Sequence, residues 1–320
     1  MSLVASHKLD EDQTSKLQQL IDSIEEIVGA TENREYDEIY GYRMAPDGQE
    51  HVETAARNEI LLKFLIASEY DVAVAKKKLT ATLNWRRKFK VLSAAYRETY
   101  DPELEKLGVI TDYKNNKDNF RVVTWNLYAN LKSPKKLFAQ FGVDGDKNEE
   151  ELEGTMFLRW RVGLMERALS LLDFSNAHNN KIAQVHDYNN VSMFRMDPGM
   201  KAATKQIIHV FGENYPELLS KKYFINVPLL MGWVFTFFKA TGFMSAATLK
   251  KFEMLSSGDL SSAFGKDNLP KEYNGGQENP QVPSIFTSAV TKTEVPAYGA
   301  IVMEKFFKDR TIEKEINTVD

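Results

Sequence analysis

An imidazole and a phenol two residues apart, His186 and Tyr188, stand in a stretch that otherwise reads as a buried strand. Ile182-Ala183-Gln184-Val185 leads into them, and Val191-Ser192-Met193 follows. Side chains alternate along a strand, so His186 and Tyr188 share one face while Asp187 takes the other. Two polar rings turned toward an apolar interior are costly unless something accepts them. Both are iron ligands in heme proteins, which gives the pair two readings: a cofactor site or a hydrogen-bonded core pair. From these two residues alone the core pair is the better supported.

Other residues with chemical potential are sparse. The chain has no cysteine, which removes disulfides, thiolate catalysis and cysteine-held metals. It has no Gly-x-Ser-x-Gly elbow, no phosphate-binding P-loop and no His-Glu-x-x-His motif. Its five histidines are too scattered to suggest a metal cluster. An enzyme is therefore not expected. Glu217 follows Tyr215-Pro216, where the proline ends a helix and the acid reads as a solvated side chain. Thr248 and Lys251 stand one helical turn apart, a spacing that suits either a bound phosphate or a wet helix face.

The elements that must position these residues follow from the hydrophobic pattern. Residues 12–28 read as a helix, and Leu61, Leu65, Leu79 and Leu83 mark further helices between 52 and 96. After Pro102 the pattern becomes strand-like at Val109-Ile110-Thr111 and at residues 121–127. A long amphipathic helix over 149–172 shows an apolar stripe of Phe157, Trp160, Leu164, Ala168 and Leu171. The strand at 182–188 comes next, then a helix from Pro198 to Phe211 and a short strand at 223–227. Alternating strands and helices predict an α/β domain with a mostly parallel sheet. Gly275-Gly276 and the Pro/Asn-rich run after it suggest the end of that domain, giving expected divisions of 1–100, 101–276 and 277–320. Ile285, Phe286, Phe306 and Phe307 allow the tail to dock back.

At 320 residues, 43% hydrophobic and 27% charged, the composition is that of a globular protein. A net charge of −4 gives no support for nucleic-acid binding. The most apolar stretch, 223–244, contains Asn226, Pro228 and Lys239, and its dense part at 228–238 is too short to span a bilayer. That segment is apolar on nearly every helical face, so it is either deeply buried or opens onto lipid.

Several of these segments together resemble the CRAL-TRIO family of lipid-binding proteins, over roughly residues 52–276. Leu61-Leu62-Lys63-Phe64-Leu65 with Asp71-Val72, then Asn84-Trp85-Arg86-Arg87, is similar to its opening motif. Tyr215-Pro216-Glu217, Ile225-Asn226-Val227-Pro228 and Gly275-Gly276 are similar to its lipid-domain signature. The resemblance implies an N-terminal helical bundle, a pocket floored by a mostly parallel sheet, and a mobile gate helix entered through 228–238. It also implies phosphatidylinositol as a ligand, with Glu217, Thr248 and Lys251 at its headgroup. Ile66 and Ser68 stand where relatives carry basic residues, and Ile182 and Gln184 where choline-lipid binders carry small hydroxyls. Both departures point to a non-classical member that transfers phosphatidylinositol only.

A third departure concerns the opening pair. Where ordinary members carry Met-Asp-Leu-Lys-Gly, this chain has His186-Asp187-Tyr188-Asn189-Asn190, and it looks most like a heme-binding fungal branch of the family. The likeness implies heme b, with Tyr188 as phenolate ligand to ferric iron, His186 beside it, and Tyr128, Arg161 and Lys222 as further contacts. Arg161 and Lys222 would meet the propionates. Read without the resemblance, Tyr128 is a core tyrosine, and Arg161 and Lys222 are surface cations. The family further implies a cytoplasmic protein touching endoplasmic reticulum and plasma membrane peripherally, with roles in phosphoinositide homeostasis and in responses to heme or oxidants. The alternative is a heme-dependent redox enzyme or sensor without lipid transfer.

Overall fold

The computed structural model describes residues 3–143, 152–189, 197–227, 249–277 and 286–307. Asp10 opens the first helix with a capping box, its side chain accepting from the Gln13 N–H. The helix expected over 12–28 is two: α1 (Glu11–Asp22) and α2 (Ile24–Gly29). Ser23 separates them, its hydroxyl bonding back to the Gln19 carbonyl at 2.7 Å. The β1 (Glu38–Ile39) and β2 (Tyr42–Arg43) hairpin precedes α3 (Thr54–Ile66) and α4 (Val72–Phe89). Asp71 caps α4, and Lys90 in left-handed conformation turns the chain into α5 (Val91–Tyr96). A single turn, α6 (Pro102–Glu105), ends this helical region.

The sheet then forms from β3 (Gly108–Asp112), β4 (Val122–Leu127), β5 (Ile182–Asp187), β6 (Leu219–Ile225) and β7 (Phe252–Met254), side by side in chain order. β3 runs antiparallel to β4, and the other neighbours are parallel. The expected mostly parallel α/β sheet is what forms. Among the described residues its crossovers are α7 (Pro134–Phe141) with α8 (Met156–Leu169), and α9 (Pro198–Asn214). α8 starts later than its apolar pattern suggests because Gly154 is left-handed and Thr155 caps the Leu158 N–H. Beyond β7 lie α10 (Ser261–Phe264) and, near the end, α11 (Ala297–Phe306).

Each sheet face has its own core. On one face Val123, Trp125, Val185, Tyr223 and Ile225 pack against Leu260, Phe264, Leu269, Tyr273 and Phe286. On the other, Ile110, Val122 and Ile182 join a core that runs through α1, α3, α4 and α8 to Val302 of α11. The tail re-enters the fold as Ala289 bridges to Thr111 and α11 settles on the hairpin. There a Cβ on Gly41 would lie 2.4 Å from the Pro296 ring, so only glycine fits. Helices and sheet are also joined by a fully buried ion network: Arg86 of α4 bonds Glu38 of β1 at 2.7 Å and Glu166 of α8 at 2.7 Å.

Candidate functional site

His186 and Tyr188 do share a face, the one turned toward the helices. Strand register sets Asn126, His186 and Phe224 side by side on β4, β5 and β6, with Thr124, Gln184 and Lys222 in the row before. Tyr188 lies one residue past the end of β5 but keeps the pairing, its N–H donating to the Ile225 carbonyl at 3.1 Å. The Tyr128 ring is 5.8 Å from His186 and 5.1 Å from Tyr188, and both also lie on Phe224. Asp187 turns to the opposite face, accepting from Tyr273 Oη at 2.9 Å and Asn226 Nδ2 at 2.7 Å.

This face carries polar groups where a packed sheet would carry apolar ones. The Asn126 amide donates toward His186 Nε2 at 3.3 Å, which puts the ring proton on Nδ1. Nδ1 is buried and has no partner among the described residues. Burial, with the Lys222 and Arg161 charges added, holds this imidazole well below its usual pKa, so it is neutral at pH 7. Burial and the neighbouring Tyr128 push the Tyr188 phenol far above its usual range. It is therefore a neutral phenol at pH 7.

Arg161 comes in from α8, buried, with Nε and Nη1 unpartnered among the described residues. Lys222 reaches over the rings of Phe224 and Phe252 at 5.3 and 5.5 Å. Burial, helped by Arg161, lowers its pKa to about 7. Neither cation has a carboxylate within ion-pair distance among the described residues. A buried guanidinium beside a partly buried amine, neither with a counter-ion, is expensive to keep charged. A group with two carboxylates and an apolar ring plane fits these donors and these aromatic walls. Arg161→Met is expected to stabilise the protein without ligand by about 1–3 kcal/mol while weakening binding of a dicarboxylate. A pair of denaturation curves reads it.

The headgroup residues form a second cluster, where Glu217 precedes β6 and Lys251 leads into β7. Lys251 Nζ bonds Glu217 Oε2 at 2.8 Å. Lys251 is in the turn entering β7, a three-residue strand, rather than on a helix. Glu217 has φ 53°, a left-handed backbone that costs a residue with a Cβ roughly 1–2 kcal/mol. Burial alone would raise its pKa, but Lys251, Lys181 and Lys63 outweigh that and hold the carboxyl below its ordinary value. Thr248 and the gate segment 228–238 lie outside the described residues.

Three members of this cluster have no place in the sequence reading of the site. Lys63 of α3 is buried, 3.3 Å from Glu59, and donates to the Glu217 carbonyl at 3.3 Å. Glu59 also accepts from Asn180 Nδ2 at 3.0 Å and from Ser6 Oγ at 2.5 Å. Lys181, just before β5, has its pKa lowered by burial and by Lys251. A visible signal existed: Glu59 and Lys63 are an i,i+4 charge pair inside an otherwise apolar helical run.

The model of the CRAL/TRIO domain matches residues 116–275. The chain is 59% identical to the phosphatidylinositol transfer protein SFH5 of Meyerozyma guilliermondii, over 95% of this chain and 89% of that relative. It is 55% identical to the protein of the same name from Debaryomyces hansenii, over 99% of this chain and 92% of the relative. Among solved structures, the crystal structure of Sfh5 superposes with a TM-score of 0.80 at 33% identity, covering 96% of this chain and all of that one.

Proposed function

This chain belongs to the CRAL/TRIO family, and we propose that it binds phosphatidylinositol and transfers it between membranes. The observation that carries the reading is the Glu217–Lys251 pair, built on a left-handed residue at the edge of the sheet's helix-side face. An ammonium there supplies charge to a phosphodiester, and the carboxylate accepts from inositol hydroxyls. The two bond each other at 2.8 Å, so each is held in place and partly desolvated where a headgroup would meet it. Gln184, buried between Thr124 and Lys222 in register, removes a small-hydroxyl surface suited to choline lipids. The proposal includes peripheral contact with endoplasmic reticulum and plasma membrane from the cytoplasm, and a part in phosphoinositide homeostasis. No helix among the described residues is long and apolar enough to cross a membrane.

Transfer of labelled phosphatidylinositol between phosphatidylcholine vesicles tests this. Glu217→Ala with Lys251→Ala is expected to lower the rate by about tenfold or more, the scale of losing charge-assisted hydrogen bonds. An unchanged rate removes the headgroup assignment.

A second ligand is favoured by a separate observation, the buried Arg161 guanidinium with Nε and Nη1 unpartnered among the described residues, and Lys222, both acting on His186. We propose that these residues hold heme b, with Tyr188 and His186 on the metal side, Arg161 and Lys222 on the propionates, and Tyr128 against the macrocycle. When bound, heme would supply a ferric centre for storing or sensing heme or oxidants. The protein's part would be to place the Tyr188 oxygen on the metal side, to keep the imidazole neutral, and to shield the site with Phe224 and Tyr128. The alternative, a redox enzyme or sensor without lipid transfer, predicts peroxide turnover that depends on Tyr188 and no movement of phosphatidylinositol.

A further inference from the structure

Lys63 is a charged side chain in the middle of Ile60-Leu61-Leu62-Lys63-Phe64-Leu65, on a helix buried on almost every side. Its exposure is 1%, and its ammonium has two neighbours across two different elements. One is the Glu59 carboxylate a turn earlier, at 3.3 Å. The other is the backbone carbonyl of Glu217, 154 positions later, at 3.3 Å. Glu59 in turn is locked by Asn180 and Ser6, so the ammonium has little freedom to leave. The carbonyl it holds belongs to the residue with the left-handed backbone that aims a carboxylate at Lys251.

We infer that Lys63 is a positioning residue for the headgroup site: by binding the Glu217 carbonyl, it keeps that peptide in the strained conformation that presents the carboxylate. The inference rests on the phosphatidylinositol reading. Nothing else described holds this carbonyl, and a left-handed glutamate persists only where its surroundings over-determine it. Burial lowers the Lys63 pKa to about 8 against the opposing pull of Glu59, so the ammonium is mostly charged at neutral pH. A merely structural ion pair would act through stability alone. A positioning role separates the two, because a neutral, equally bulky pair keeps the packing and frees the carbonyl.

The test is Glu59→Met with Lys63→Met in the full chain, compared with Glu217→Ala and wild type. Expected is a phosphatidylinositol transfer rate between phosphatidylcholine vesicles reduced about tenfold, or about 1.4 kcal/mol, with thermal unfolding close to wild type. Should that variant not fold, Glu59→Gln with Lys63→Gln takes its place. The shorter amide still meets residue 59 but falls short of the Glu217 carbonyl, and the same loss is expected. Full transfer by a folded variant, with transfer lost in Glu217→Ala, overturns the role of Lys63 and leaves the headgroup site standing. Full transfer in Glu217→Ala as well shows instead that the underlying reading fails.

Discussion

Arg86→Met costs the fold about 3–5 kcal/mol, the scale of breaking a buried ion network by removing one member. Against a typical stability of about 5–15 kcal/mol, that is a large shift in urea midpoint. The guanidinium is fully buried, with Nη1 on Glu166, Nε on Glu38 and Nη2 on both carboxylates. Tyr36 Oη donates to Glu38 at 2.9 Å, the Gly41 N–H at 2.6 Å, and Tyr215 Oη to Glu166 at 2.7 Å. Burial works against the charge on Arg86, but Glu166 and Glu38 outweigh it and raise its pKa. Without the arginine, two desolvated carboxylates face each other. Because Tyr215 introduces Glu217, the loss also loosens the headgroup loop. A shift in midpoint worth under about 1 kcal/mol would mean that the network is not the joint between helices and sheet.

Tyr188→Phe is the second large effect. The change keeps the ring, its contact with Tyr128 and its contact with Phe224, and deletes only the oxygen. Fold and lipid transfer are therefore expected to stay near wild type, while hemin affinity falls by about a hundredfold or more, as for loss of a charged donor worth roughly 3 kcal/mol. His186→Leu is predicted to do less, since the imidazole is neutral and already engaged by Asn126. Equal hemin affinity in Tyr188→Phe and wild type would move the metal side of the site elsewhere.

How far the sequence reaches depends on what each residue must satisfy. β4 and β5 are legible because Val122-Val123 and Ile182-Ala183 are compact and apolar, and both strands are buried along their whole length. β6 is longer at its start than expected, since Ser220-Lys221-Lys222 looks like solvent-facing chain while Lys222 turns inward over two aromatic rings. β7 escapes notice because three residues carry no period. α8 shows its stripe, yet nearly all of it is buried, including Arg159 and Arg161, because the sheet, α5, α7 and α9 surround it. An inward arginine there cannot be told from a surface one by spacing alone; it entered through resemblance. The Glu59–Lys63 pair is visible as a spacing, but its meaning depends on a carbonyl far along the chain.

Arg161 and Lys222 also explain why the site departs from local consistency. Natural sequences place costly groups where a ligand repays them, and a sheet face on which Arg161 Nε and Nη1, Thr124 Oγ1 and His186 Nδ1 have no partner among the described residues is such a place. The lipid cluster differs: its charges close on one another through Glu217, Lys251, Lys63 and Glu59. One site is preorganised by internal pairing, the other left open in charge.

The absorption spectrum of the protein during hemin titration tests that contrast most directly. A saturable Soret band with a ferric phenolate signature, reached at one equivalent per chain and reduced in Arg161→Met, is the predicted result. A spectrum that remains that of free hemin throughout, with the protein folded, would contradict it.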